Sequence, residues 1–122
     1  MKIVTDMEFT KELLKEMKKL FPQKNTLSAV QLFYKNQIPL SGFFLEKGKV
    51  ILKKNRHSSI EVSPYSFFGL NECLNNDPSS FEAQALKDST IYFLDKTTLL
   101  EILNTTRNTP LKDYIEKVIG NS

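Results

Sequence analysis

Phe67-Phe68-Gly69-Leu70-Asn71-Glu72-Cys73-Leu74-Asn75-Asn76-Asp77-Pro78-Ser79-Ser80-Phe81-Glu82-Ala83-Gln84-Ala85 is the stretch on which the reading of this chain turns. It opens on an aromatic pair and a glycine. Leu70–Leu74 can form a short helical turn, which Asn75-Asn76-Asp77-Pro78 breaks, because Asn and Asp bond their own backbone and proline lacks a donor. From Glu82 the residues are strand-like again.

The same strand grammar extends to both sides. Short β-prone runs at Ala29–Tyr34, Gly42–Glu46, Lys49–Lys53, Ser59–Val62, Glu82–Leu86 and Thr90–Leu94 alternate with the turn-formers Lys35-Asn36-Gln37, Lys47-Gly48, Asn55–Ser58 and Pro64–Ser66. Many short strands at near-regular spacing predict a barrel, sandwich or roll over residues 25–95. Further out the period changes from two to about 3.6. Phe9, Leu13, Met17 and Leu20, widened by Leu14 and Phe21, form the apolar stripe of a helix over 6–20, with Lys11, Lys15, Lys18 and Lys19 on the other face. Phe21-Pro22 stops it, since the residue before proline disfavours the helical region. After Asp95, Thr97 or Thr98 is expected to cap a helix through Leu103; Pro110 starts another, with Leu111, Ile115 and Val118 on its buried side. The expected architecture is α+β and mainly β: one domain, 1–122, with a helix at 6–20, a roll at 25–95 and two helices within 97–119.

Composition excludes several kinds of chemistry. The 122 residues are 40% hydrophobic and 25% charged, which is ordinary for a single folded domain. The one cysteine, Cys73, can form no internal disulfide, and the one histidine, His57, can build no three-histidine metal centre. Dinucleotide and Walker glycine motifs, HExxH and nucleophile-elbow sequences are absent. No residue group supplies a nucleophile with its base, so an enzyme is not expected, and neither a cofactor nor a metal is called for. No apolar run is long enough to span a bilayer, so the expectation is a cytoplasmic protein without membrane contact.

Residues from about Asn25 to Leu103 resemble the cyclic-nucleotide-binding domain family, the β-roll (an antiparallel jelly roll) of catabolite-activator-type regulators, kinase regulatory subunits and gated channels. Three stretches carry the resemblance. In Leu32-Phe33-Tyr34-Lys35-Asn36-Gln37, Asn36 stands where the family has a turn glycine and tolerates left-handed backbone better than most residues. Phe43-Phe44-Leu45-Glu46-Lys47-Gly48-Lys49-Val50 is similar to the family's aromatic–Ile-x-x-Gly-x-Val hairpin. Phe67–Ala85 has the length of the family's phosphate-binding cassette, with Phe68-Gly69 opening it and Pro78 where the family's proline precedes an arginine.

The resemblance implies a ligand site at Phe68, Gly69, Leu70, Asn71, Glu72, Ser79, Ser80 and Phe81, and the departures fall within it. Leu70 stands where the family's glutamate takes the ribose hydroxyl. Ser79 stands where its arginine pairs with the cyclic phosphate, and Phe81 replaces a small residue; Ser80 keeps the family's Ser/Thr. Charge-assisted hydrogen bonds contribute about 1.5–3 kcal/mol each. Losing two weakens binding by roughly two to four powers of ten. Binding of cyclic AMP or cyclic GMP in the usual mode is therefore not expected. Phe81 is read either as a plug in the vacated pocket or as a core aromatic. Glu72 is read either as a displaced ribose acceptor or, preferably, as a solvated carboxylate. Cys73 is read as a small buried hydrophobe.

The charge pattern agrees. Of 17 basic residues against 14 acidic, five (Lys47, Lys49, Lys53, Lys54 and Arg56) lie in an acid-free run that ends at His57, which leaves 12 against 14; residues 67–85 carry three acids and no Lys or Arg. The run is read as a solvated, lysine-blunted hairpin rather than an anion site. No helix-turn-helix follows the roll, so direct DNA binding is not expected. The functional expectation is a regulatory or signalling module with a degenerate pocket that contacts a protein partner, or itself, through the helices flanking the roll. The alternative is a small-ligand or nucleotide sensor that uses non-standard contacts in the same pocket.

Overall fold

A computed structural model describes residues 1–6 and 11–120. In chain order the elements are β1 (Ile3–Thr5), α1 (Lys11–Leu20), β2 (Gln23–Asn25), β3 (Val30–Phe33), β4 (Ser41–Lys47), β5 (Val50–Asn55), β6 (Ser58–Val62), β7 (Ser66–Phe68), α2 (Leu70–Asn75), β8 (Glu82–Ala85), β9 (Thr90–Asp95), α3 (Lys96–Asn104) and α4 (Pro110–Gly120). They form the expected β-roll. One sheet runs β1-β7-β4-β9-β2 and the other β3-β8-β5-β6, with every pairing antiparallel.

The five-stranded sheet lies between two apolar clusters, because successive side chains on a strand point to opposite faces. Phe43, Leu45, Phe68 and Ile91 face the roll interior, where they meet Phe33, Val50, Leu52, Phe81 and Ala83 from the other sheet and its flanks. Their neighbours Phe44, Phe67, Tyr92 and Leu94 face outward and meet Leu13 and Met17 of α1, Leu99 of α3 and Leu111, Ile115 and Val118 of α4. The helix stripes anticipated in α1 and α4 are thus used in packing on the roll. Leu20 is an exception, 46% exposed, and Phe21 takes its place in the core.

Several expected boundaries move. Asp6 is not helical, and Phe9, with the rest of residues 7–10, lies outside the described residues. Strands β1, β2 and β7 were not anticipated; each is three residues long, β2 and β7 are fixed by pairing with the longer β9 and β4, and β1 adds to the edge of β7. The cap of α3 is Asp95, whose Oδ2 accepts from the Thr98 N–H and hydroxyl, rather than either threonine. At α4, Thr109 Oγ1 accepts from Lys112 N and Glu16 Oε2 accepts from Leu111 N, so α1 helps to cap α4.

Gly48 makes the expected tight turn at φ +91°, and a Cβ there would stand 2.2 Å from Ser89 Oγ. Ser89 needs that room: its hydroxyl accepts from Lys49 N and donates to Lys49 O, while Thr26 Oγ1 accepts from Ser89 N and donates to Leu86 O. These bonds close that end of the roll. The acid-free run is split by the fold. Lys47 and Lys49 sit at this end, with Lys49 paired to Glu61 at 2.7 Å, whereas Lys53 to His57 lie at the far end of β5.

Two tyrosines join distant segments. The Tyr114 hydroxyl donates to Asp6 Oδ2 and the Tyr92 hydroxyl to Glu46 Oε1, each at 2.6 Å. Burial, reinforced by the adjacent carboxylate, raises both phenols well above the ordinary tyrosine value near 10. A raised folded-state value favours the protonated form, so this stabilisation is complete below about pH 10 and is lost as pH climbs further. Unfolding followed from about pH 8 to pH 11 is expected to show stability falling above about pH 10, with a shallower fall in Tyr114→Phe.

Candidate functional site

The cassette begins where β7 ends. Phe68 stacks on Phe43 in the roll interior, with ring centroids 5.3 Å apart, and Phe43 in turn packs against Phe33 and Phe93. Gly69 then adopts φ +75°, a left-handed turn that a side chain would strain. Its carbonyl accepts from Cys73 N, which starts α2. Asn76, also left-handed, ends the helix: its N–H and that of Asp77 both reach the Glu72 carbonyl. Lys96 Nζ donates to Asn76 Oδ1 and so ties the break to the start of α3.

The candidate residues do not converge on one pocket. Leu70, 4% exposed, belongs to the helix-side cluster and lies against β4, where a Cβ on Gly42 would stand 2.5 Å from its Cδ2. Phe68, Leu70 and Asn71 do line one cleft, with Val4 and Val118, but its volume is only about 10 Å³, room for about one water, and neither Glu72 nor any residue beyond the break reaches it. Glu72 departs from the solvated carboxylate expected for it. It is half-buried, and its Oε1 is out of solvent with no hydrogen-bond partner among the described residues. Cys73 is buried, and burial pushes its thiol up, which disfavours the reactive thiolate.

On the far side of the break, Ser79 is 1% exposed and its hydroxyl is committed to the backbone. Oγ donates to Phe81 O at 2.7 Å and accepts from Phe81 N at 3.1 Å. Its own main chain is held by the β3–β4 turn, where Asn36 N donates to Ser79 O and Ser79 N donates to Gln37 O. Asn36 is left-handed at φ 70°, as its place in the turn requires. Ser80 is exposed. Phe81, 8% exposed, belongs to the interior cluster of the roll and is thus a core aromatic at the place where the resemblance puts ligand. None of the three described clefts is lined by Ser79, Ser80 or Phe81.

Sequence reasoning missed the Ser79–Phe81 clasp and the contact between Leu70 and Gly42. The first had a signal, since Ser before a turn commonly bonds the backbone two residues on. The second had none, because residues 42 and 70 meet only through the pairing of β4 with β7. Among the described residues no group of three His, Cys, Asp or Glu side chains could hold a metal, and no helix is long and apolar enough to cross a membrane.

The chain belongs to the cyclic nucleotide-binding domain family, whose sequence profile matches residues 30–106. No curated protein matches its sequence. Among solved structures it is similar to a protein of a cyclic-GMP-dependent signalling pathway that regulates bacterial phytopathogenesis, at 20% identity and a TM-score of 0.72, covering 93% of this chain and 97% of that one. The catabolite activator protein of Thermus thermophilus superposes at 16% identity and 0.68, covering 93% of this chain and 55% of that regulator. A protein of Geobacter metallireducens does so at 20% and 0.63, covering 93% and 81%. At these identities the likeness is one of fold: a β-roll with helices at both ends.

Two substitutions test the geometry. Ser79→Ala leaves the Phe81 N–H buried without its acceptor and is expected to cost about 1–3 kcal/mol in denaturant unfolding. Gly42→Ala forces Leu70 aside and is expected to cost about 1–3 kcal/mol. In a double-mutant cycle that second penalty shrinks in a Leu70→Ala background; strict additivity would mean the two residues do not touch.

Proposed function

We propose that this domain is a non-enzymatic regulatory module that has given up the family's capture of cyclic nucleotide and works by contacting another protein. The observation that carries this reading is the state of the cassette. The residue at the ribose-anchor position, Leu70, is buried in the apolar core beneath the helices. The residue at the phosphate-anchor position, Ser79, spends its hydroxyl on Phe81, and the Phe81 ring belongs to the roll's interior core. Residues 67–85 offer a phosphate no Lys or Arg. What remains is a roll whose interior is filled by its own side chains, with a rigid frame for surface contacts.

Calorimetric titration of the full chain with cyclic AMP and cyclic GMP up to about 1 mM is expected to give no saturable binding. Low-micromolar affinity for either overturns the reading.

Glu72 favours a second reading. A carboxylate oxygen shielded from water without a donor costs stability unless something satisfies it. A small ligand whose hydroxyl or amine donated to that oxygen would do so. A thermal-shift screen of nucleotides and polar metabolites separates the two. A ligand at 100 times its Kd adds about 2.7 kcal/mol, and under this second reading Glu72→Gln removes that gain.

A further inference from the structure

The apolar stripes of the flanking helices are buried inside the molecule, and exposed apolar and cationic side chains meet on the roll itself. We propose that the end of the four-stranded sheet beside the cassette docks an acidic protein segment that carries an apolar side chain. This rests on the protein-contact reading and deepens it by naming the surface and the partner's chemistry.

The surface follows from strand register. Phe33 of β3 pairs with Ala83 of β8, so Tyr34 emerges beside the start of β8. Lys53 of β5 pairs with Glu82, so Lys54 and Arg56 lie beyond that same end. The β3–β4 turn, which carries Lys35 and Ile38, is bonded to the cassette through Asn36, Gln37 and Ser79. With strands about 4.8 Å apart, Tyr34 and the β5 cations stand roughly 10 Å apart across β8. Three segments distant in sequence therefore share one rim.

The chemistry of the rim is mixed. Tyr34 is 64% exposed and Ile38 41%. Lys35, Lys53, Lys54 and Arg56 are exposed, and none makes an ion pair among the described residues. The acids at this end are Glu82, half-buried opposite Lys53, and Asp77 in the cassette break. The excess is positive, which selects an acidic partner by charge complementarity. Exposed tyrosine and isoleucine beside arginine match the make-up of protein interfaces, where Tyr and Arg anchor binding.

A nucleic acid or an anionic membrane fits less well. Both bind through extended cationic arrays. Here the basic run is split between opposite ends of β5, and Lys49 is already paired with Glu61.

The test is selection of a phage-displayed library of random twelve-residue peptides on the full chain, with the enriched peptides resynthesised and measured by fluorescence anisotropy. Enriched peptides are expected to carry net negative charge and at least one Leu, Phe or Tyr. Binding is expected to weaken at least about tenfold in the double variant Lys54→Glu, Arg56→Glu and about fivefold in Tyr34→Ala, values in the range of interface anchors. Both variants change exposed side chains, and unchanged thermal unfolding confirms that they fold. No enrichment, neutral or basic consensus peptides, or affinity indifferent to the charge reversal overturns the proposal. So does equal or tighter binding of a single-stranded oligonucleotide or of phosphatidylserine vesicles. These outcomes are read independently of the cyclic-nucleotide titration, so failure here and failure of the pocket reading are distinguishable.

Discussion

The five-stranded sheet is packed on both faces, and it is packed by adjacent residues. Phe43 and Phe44, Phe67 and Phe68, and Ile91 and Tyr92 each send one side chain into the roll and the next toward the helices. Fully burying a large apolar side chain contributes roughly 1.5–3 kcal/mol. A one-residue slip of register would exchange every member of these pairs between two differently shaped cores. The pairings Phe43↔Phe68, Phe44↔Phe67 and Phe44↔Tyr92 therefore hold β4, β7 and β9 in one alignment, and the rest of the molecule is arranged around them.

The cassette inherits its geometry from that alignment. Because Phe68 is fixed inward against Phe43, Gly69 must turn the chain, and the left-handed turn directs Leu70 onto the strand beside Gly42. The chain that returns from the break is fixed by the same interior cluster, which takes Phe81, and by Ser79, whose hydroxyl donates to the Phe81 carbonyl and accepts from the Phe81 N–H. Two of the positions that the family resemblance marks as polar anchors are thereby parts of the fold's own packing and hydrogen bonding. Glu72 stands apart: its Oε1 is shielded from solvent and has no donor among the described residues. Most native buried polar groups are satisfied, so this one is the cassette's clearest unresolved energetic demand.

Much of this was legible in the chain. The longer strands are β-prone runs set between strong turn-formers, the ends have helical period, and Asn36 and Gly48 sit where left-handed turns occur. The strands that escaped notice were those without a pattern of their own. The residues of β2, Gln23-Lys24-Asn25, are polar and exposed, and they are a strand only because β9 supplies the partner. The α3 cap was misplaced by two or three residues because several adjacent side chains could act as acceptors, and only the observed backbone angles single out Asp95. The acid-free run from Lys47 to His57 looked like one basic hairpin in linear sequence. The length of β5 separates its charges to opposite ends: at one Lys49 pairs with Glu61, and the other lies at the same end of the sheet as the exposed Tyr34.

By itself the sequence determined the fold class, the order of helix, roll and helices, and the absence of the family's glutamate and arginine from the cassette. Those depend on local period, turn chemistry and residue identity, which neighbouring positions disclose. Only the tertiary structure decided where Leu70, Glu72, Ser79 and Phe81 direct their side chains, and that Tyr34, Lys35, Lys54 and Arg56 share a rim. These placements depend on cross-strand register and on two cores competing for adjacent side chains, and such long-range constraints leave no mark on the local pattern of a single chain.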